Sequence, residues 1–460
     1  MAKGKAYNDM TQGVEWKRLL RFALPMMLGQ LLQQLYSTVD GIVVGNFVSS
    51  GALAAVGSCS TMAMIFLAFS LGMGNGSGVV LAQFFGAGRK EEMRSTAANI
   101  LILLGALGAA ASLLCVLTAD FTTKAILGIE DPAIQQQAEI YFRIYGIGLV
   151  FTFLYNAVAS ILRAVGDSKA VLYFLLVSTV ANMILDMFFV CVLHTGVAGA
   201  AWATVISQVA CFVVSVWYMF RNYPVFRFAS LKQLQYDSVK MKLCLRMGIP
   251  STLQMITISS GHILLQRLTN SFGEVTMAAV TVGSRFDHYC SVPIMAMSQA
   301  ISGFAGQNTG AGRYDRVKRG LLSAIAINLC FLAVISPAIY FLAEPLAKLF
   351  GVEGETLRRS VEYLHYLSLI YPVFGVYNPF NGLFQGCGDT IMAAIVVLVA
   401  LGVRVGVSYT MILGFHMDYH ALWTPYLWGW AAALCVSIIY FASGKWKTKS
   451  LIAKKTEEPG

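Results

Sequence analysis

The sequence predicts an all-α integral membrane protein of about twelve transmembrane helices, arranged as two six-helix lobes. Three observations predict it. Of 460 residues, 57% are apolar and only 12% charged, with a mean hydropathy of +0.66, which leaves too few charges to solvate a water-soluble surface of this size. About twelve predominantly apolar stretches approach the roughly 20 residues that a helix needs to cross a bilayer. The second half of the chain repeats landmarks of the first at an almost constant offset.

The first span, 22–44, follows a polar, basic start and is too long for the apolar core of a cleaved leader, so it reads as an uncleaved anchor. The next five are 53–82, 100–117, 140–162, 170–193 and 197–220. The second six are 245–268, 275–304, 321–342, 363–384, 391–415 and 422–441. Their continuous apolarity excludes barrel strands, which alternate polar and apolar residues. The lobes are then 1–220 and 243–444, joined by a basic linker at 221–242 and followed by a basic tail at 445–460.

Lysine and arginine collect on the cytoplasmic side of a membrane protein. Here they precede the first span (Lys17, Arg18, Arg21) and follow the second (Arg89, Lys90, Arg94), the sixth (Arg221, Arg227), the eighth (Arg313, Arg316, Arg319) and the last (Lys445, Lys447, Lys449). The opposite loops carry Asp120, Asp131, Glu344, Glu355 and Asp418. Both termini are therefore expected in the cytoplasm. The net charge of +10 reflects this topology and not a nucleic-acid surface. Nine scattered cysteines without paired spacing argue against a disulfide framework or a structural metal site.

AQFFGAGR at 82–89 and GQNTGAGR at 306–313 share five of eight residues at a shift of 224. Pro25 faces Pro250 at 225, and Gly166-Asp167 faces Gly388-Asp389 at 222. Six spans per repeat set both halves into the membrane in the same sense, so a pseudo-two-fold axis should run along the membrane normal. Two like-oriented bundles suit alternating access, which is a transporter's requirement.

A carboxylate within a span costs roughly 2.5–3.5 kcal/mol even on lenient scales, which singles out Asp40 in the first span and Asp186 in the fifth. At 1.5 Å per residue both stand about 24–27 Å from the cytoplasmic start of their spans. Asn182 lies one turn before Asp186, and Gln33, Tyr36 and Ser37 share the face of Asp40. The cluster reads as a proton or cation site, against the alternative of packing or capping carboxylates. In the second half the position matching Asp40 is Leu264, so the halves divide labour. Asp287, near Arg285 and at a depth similar to Arg404, reads first as a buried ion pair and second as a substrate contact. Pro25 shares a helix with Asp40 and is the hinge candidate. Met255 and neighbouring methionines suit an adaptable apolar pocket.

Three motifs resemble sites of other chemistry. GMGNGSG at 72–78 is neither a dinucleotide nor a Walker pattern and reads as close helix packing. The GAGR turns lack the lysine and hydroxyl of a P-loop. GCGD at 386–389 pairs with GD in the first half and reads as a duplicated turn. No enzyme is expected.

ALP at 23–25, Asp40 followed by VVGNF, LAAVG at 53–57, AQFFGAG, RAVGDS, the Asn182–Asp186 pair, GIP, GQNTGAG and QGCGD occur in an order that resembles the multidrug and toxic compound extrusion family over nearly the full length. The resemblance implies two six-helix lobes about a central cavity, and export of organic cations or other amphipathic compounds driven by inward proton or sodium flow. It makes Asp40 the principal coupling carboxylate, with Asn182 and Asp186 beside it and Pro25 as the bend. It also implies a monomer in the inner membrane, working with small-molecule cargo and lipid and no nucleic acid. The sodium-site branch of that family uses acids in the seventh and tenth spans; neither span holds one here. The chain thus looks like the DNA-damage-inducible branch, with protons as coupling ion, or sodium at Asp40, Asn182 and Asp186 as the alternative. A flippase for lipid-linked saccharides shares the architecture but should line its cavity with several arginines.

Overall fold

The computed structural model describes residues 9–47, 50–129, 131–228 and 234–452, and the side chains of these apart from 35–47, 50, 53, 61 and 262. Twelve long α-helices run through them: α1 (Glu15–Phe47), α2 (Ser50–Gly86), α3 (Lys90–Leu117), α4 (Pro132–Ala164), α5 (Ser168–Asp186) and α6 (Gly196–Asn222), then α7 (Ser238–Asn270), α8 (Gly273–Gly310), α9 (Tyr314–Lys348), α10 (Gly354–Gly386), α11 (Thr390–Tyr409) and α12 (Pro425–Ala442). The described residues contain no strand.

The helices outrun the apolar stretches that predict them. At 37 residues, α2 extends about 55 Å against a hydrocarbon core of about 30 Å. Its hydrogen bonding continues through Gln83 to Gly86, past the last residue of the predicted span, because a helix need not stop where lipid does. Large apolar side chains face outward as well as inward, unlike in a soluble protein. Phe341 is 80% exposed, while Gln83, Asn99, Asn308 and Asp186 are fully buried, the arrangement expected when the surrounding solvent is hydrocarbon.

The contacts divide the chain into two units, Pro25–Thr252 together with Asp9, and Met10–Leu24 together with Leu253 onward. Where the apolar pattern draws lobe limits at 220 and 243, the contacts draw them inside α1 and inside α7. In the first unit α4 is central, packing on α2, α3 and α6, with α5 against α6. The equivalent helix α10 is central in the second unit, packing on α8, α9, α11 and α12.

Glycine permits the closest of these contacts. Gly72 and Gly76 of α2 lie against Thr252 and Met247 of α7, while Gly74 and Gly78 lie against Asn156 and Ser160 of α4. The glycine-rich run is thus a two-sided packing strip. Both basic turns close on a left-handed glycine, Gly88 at φ +70° and Gly312 at φ +72°, as the chain reversal at each helix end requires.

The second unit also holds the N-terminal arm. The Met10 amide donates to Gln307 Oε1 at 2.9 Å, Arg313 donates to the Thr11 carbonyl at 2.7 Å, and Glu15 pairs with Arg316 at 3.1 Å and Arg319 at 3.0 Å.

Candidate coupling site

The α5 segment SKAVLYFLLVSTVANMILD starts on a built cap: Asp167 accepts the Ala170 amide at 3.1 Å. From there the helix carries Asn182 and Asp186 on one face, and both are fully buried in the first unit. Neither amide atom of Asn182 has a hydrogen-bond partner among the described residues. Directly after Asp186 the backbone widens into a π-helical turn, Met187–Val192, closed by His194 at φ +51°. Such turns interrupt regular bonding and recur at functional sites. The second unit repeats this ending: α11 passes into a π-turn at Thr410–Gly414, closed by His416 at φ +50°.

Asp40, Tyr36 and Ser37 lie on α1, but their side chains lie outside the described residues. Gln33 is exposed and Pro25 is buried within the helix. Behind Pro25, α1 runs against α5, where a Cβ on Gly29 would stand 3.1 Å from the Leu175 side chain. The first unit begins at Pro25, and the arm before it belongs to the second unit. Pro250 occupies the equivalent place in α7, two residues before the unit limit at Thr252.

Three other polar groups of the first unit are paired between helices. Asn156 donates to Ser70 at 3.0 Å, Thr152 to Gln208 at 2.8 Å, and Arg163 to Asn75 at 3.2 Å.

The second unit is built differently. Asp287 on α8 accepts a hydrogen bond from Tyr371 of α10 at 2.8 Å, and among the described residues neither Arg285 nor Arg404 closes an ion pair with it. Arg404 lies on the Tyr426 ring, 3.2 Å from the centroid, and Arg285 faces Phe350 at 5.9 Å. Both arginines therefore use an aromatic face where the sequence reading offered an ion pair. Tyr371, Phe374 and Tyr426 gather around Trp430 with centroids 4.8–6.2 Å apart. Sequence reasoning passed over this group, although Tyr363, Tyr371 and Phe374 share one face of α10. Met255 is half-buried on α7. Directly before it, Gln254 donates to Asn381 at 2.9 Å and accepts from Gln385 at 2.7 Å. Applying the repeat offset of 222, Arg404 and Ser408 stand where the first unit has Asn182 and Asp186.

No group of metal-ligand type with three or more members occurs among the described residues. The described helices Ala54–Gly86, Lys90–Leu117, Pro132–Ala164, Ser168–Val192, Gly196–Asn222, Tyr314–Lys348, Thr390–Gly414 and Tyr419–Ala442 are each long and apolar enough to cross a membrane.

The MatE family model matches residues 25–188 and again 250–410, so each match begins at one of the paired prolines. The chain belongs to the MatE family. MatE proteins are multi-pass membrane transporters of multidrug efflux, and the relatives carry names of transporters, which are not enzymes. The chain is 30% identical over 457 residues to the probable multidrug resistance protein YpnP of Bacillus subtilis, covering 98% of this chain and 100% of the relative. It is 22% identical over 444 residues to the probable multidrug resistance protein NorM of Thermotoga maritima, covering 95% of each. Over 391 residues it is 23% identical to the multidrug export protein MepA of Staphylococcus aureus, 82% of this chain and 84% of that one.

Among solved structures, a MATE protein in the bent conformation superposes with a TM-score of 0.88 at 25% identity, covering 96% of this chain and 97% of the other. A multidrug resistance MATE family transporter in an outward-facing conformation gives 0.87 at 25%, with 97% and 100% covered. A Pyrococcus furiosus transporter of the MOP superfamily, described by the reverse polarity of its binding pocket, gives 0.85 at 26%, with 96% and 98% covered. These neighbours share the two-lobed all-α membrane fold.

Proposed function

We propose that this MatE chain is a monomeric inner-membrane exporter, with both termini cytoplasmic. It antiports organic cations or amphipathic compounds against protons through Asp40, Asn182 and Asp186. Sodium at the same three residues is the alternative ion. The observation that carries the reading is the fully buried Asn182–Asp186 pair at the α-to-π junction of α5, because an ionisable residue inside a membrane span costs about 2.5–3.5 kcal/mol and such residues mark ion and proton paths. The register supports Asp40 as its neighbour. Gly29 meets Leu175, and Asp40 and Asp186 each follow eleven residues beyond that contact, about 16 Å along the first and fifth spans, which cross the membrane in the same sense.

Asp40 takes up a proton in the outward-facing form, which removes its charge and lets α1 bend at Pro25; cargo leaves, and release of the proton to the cytoplasm resets the site. The limit between units at Pro25 supports this hinge, as does the bent conformation described for one structural neighbour. Met255 and Asp287, with Gln33, Tyr36 and Ser37, are proposed to line the cargo path. The lack of acids in the seventh and tenth spans supports membership of the DNA-damage-inducible branch.

The test is efflux of a fluorescent organic cation from liposomes under an imposed pH gradient and then a sodium gradient. Proton-driven efflux lost in Asp40→Asn is expected. Sodium-only efflux would replace the coupling ion, and no efflux under either gradient would move the assignment to a lipid flippase.

A further inference from the structure

The two basic turns of the repeat differ. In the first unit the residues after Gly88 are Arg89, Lys90, Glu91 and Glu92, and Arg89 lies 3.8 Å from Glu92, so the corner is close to neutral. In the second unit the counterparts of Glu91 and Glu92 are Asp315 and Arg316, and Arg319 replaces Ser95. A second basic run joins them. After α12 the chain turns at Gly444, φ +69°, into a single helical turn, Lys445–Lys449, fixed by the fully buried Trp446. Trp446 stacks on Phe441 with centroids 5.3 Å apart, meets the ring edge of Tyr314 at 6.0 Å, and donates to the Phe441 carbonyl at 3.1 Å.

This aromatic anchor brings Lys447 beside the start of α9. Arg313, Tyr314, Arg316, Arg319 and Lys447 line a cleft of about 560 Å³. Glu15 accepts from Arg316 and Arg319, and Asp315 also lines the cleft, so four cations face two acids. Lys447 makes no ion pair among the described residues. The cleft lies where α9 and α12 leave the apolar spans, a level at which tyrosine and tryptophan sit among lipid headgroups.

We propose that this cleft binds the phosphate of an anionic phospholipid headgroup, and that it does so in the second unit alone. Excess positive charge, the Lys447 ammonium and the end of a membrane helix match a lipid phosphodiester. The first unit has Val225 where Lys447 stands and two glutamates in its turn, so it lacks both the excess charge and the lysine.

The experiment titrates the full-length, detergent-purified protein with phosphatidylglycerol or phosphatidylcholine and counts bound lipids by native mass spectrometry. Phosphatidylglycerol should be retained preferentially. Lys447→Gln and Arg319→Gln, both at positions outside the apolar core, should each weaken retention about fivefold, and together about twenty-five-fold, the equivalent of about 1 kcal/mol per charge near a lipid surface. Lys90→Gln in the first unit's turn should leave it unchanged, and the melting temperature of each variant shows that it is folded. Equal retention of the two lipids, or retention in the double variant within twofold of the parent, overturns the proposal. Displacement of the lipid by millimolar inorganic phosphate would overturn it in favour of a site for free anions.

Discussion

Tyr218 of α6 donates a hydrogen bond to Asp167 Oδ2 at 2.9 Å, and 222 residues later Tyr440 of α12 donates to Asp389 Oδ2. Each aspartate also caps the following helix, Asp167 at the Ala170 amide and Asp389 at the Met392 amide. A duplicated side-chain clamp thus joins the start of one helix to the end of the next in both halves, α5 to α6 and α11 to α12. The first copy adds Tyr223, which donates to Asp167 at 2.7 Å. Removing the acid loses a cap worth about 1 kcal/mol and strands two phenol groups at about 1 kcal/mol each. Asp167→Ala should therefore destabilise by about 3 kcal/mol and Tyr218→Phe by about 1, with Asp167→Asn between them, measured by chemical or thermal unfolding in detergent. Equal effects for all three would contradict a shared acceptor.

The same symmetry makes a packing prediction with opposite outcomes in the two halves. Gly382 and Gly386 of α10 press on the carbonyls of Ser298 and Ser302 of α8, so an added Cβ meets backbone that cannot yield. At the corresponding place in the first unit the glycines are on α2, and a Cβ on Gly78 would stand 3.3 Å from the Ser160 carbonyl. Gly386→Ala should cost about 1–3 kcal/mol through overpacking, and Gly78→Ala less than about 1. Melting temperatures of the two variants decide it.

Most of the fold is written in local pattern, because crossing lipid demands an apolar run and reversing the chain demands glycine. The spans, the turns at Gly88 and Gly312 and the limiting prolines all follow from that. The attachment of Met10 to Gln307 does not, since a polar start says nothing about a partner nearly three hundred residues away. Nor does the pairing of Tyr218 with Asp167, because a tyrosine near a span end looks the same whether it faces headgroups or a carboxylate. The halves also solve one contact with unlike chemistry. Thr152 bonds to Gln208 in the first, where the second stacks Phe374 on Trp430 at 4.8 Å, so residue identity hides an equivalence that position reveals. For the candidate site, Asn182, Asp186 and Pro25 were legible as polar or rigid residues in apolar runs. The aromatic setting of Asp287 was not, because aromatic residues are ordinary in membrane helices.

Acid sensitivity has an identifiable source at the start of α10. Hydrogen bonds from Arg358, at 2.6 and 2.8 Å, and from Arg359, at 2.9 Å, hold the exposed Glu355 carboxyl down at about 2. A folded-state value below the unfolded one contributes stability that is present above about pH 4.5 and lost as pH falls towards 2. Glu355→Gln should flatten the fall in melting temperature across that window and leave neutral pH nearly unchanged, since exposed pairs contribute little. A parallel acid limb in the variant would assign the effect to other carboxylates.

The proposed coupling site separates charge from packing in one comparison. Asp186→Asn keeps the shape of a fully buried side chain while removing the ionisable group, so the carrier should fold, reach the membrane and lose its response to a pH gradient. The expected loss is tenfold or more in proton-driven efflux, as a change of about 1.4 kcal/mol in the coupling step would produce. Asn182→Ala instead removes a polar neighbour whose amide has no described partner, and if that amide serves only the bound ion, stability should stay within about 0.5 kcal/mol of the parent while the ion concentration for half-maximal efflux rises. A large loss of stability in Asn182→Ala, with transport per folded molecule unchanged, would make the pair a packing feature and remove it from the coupling site.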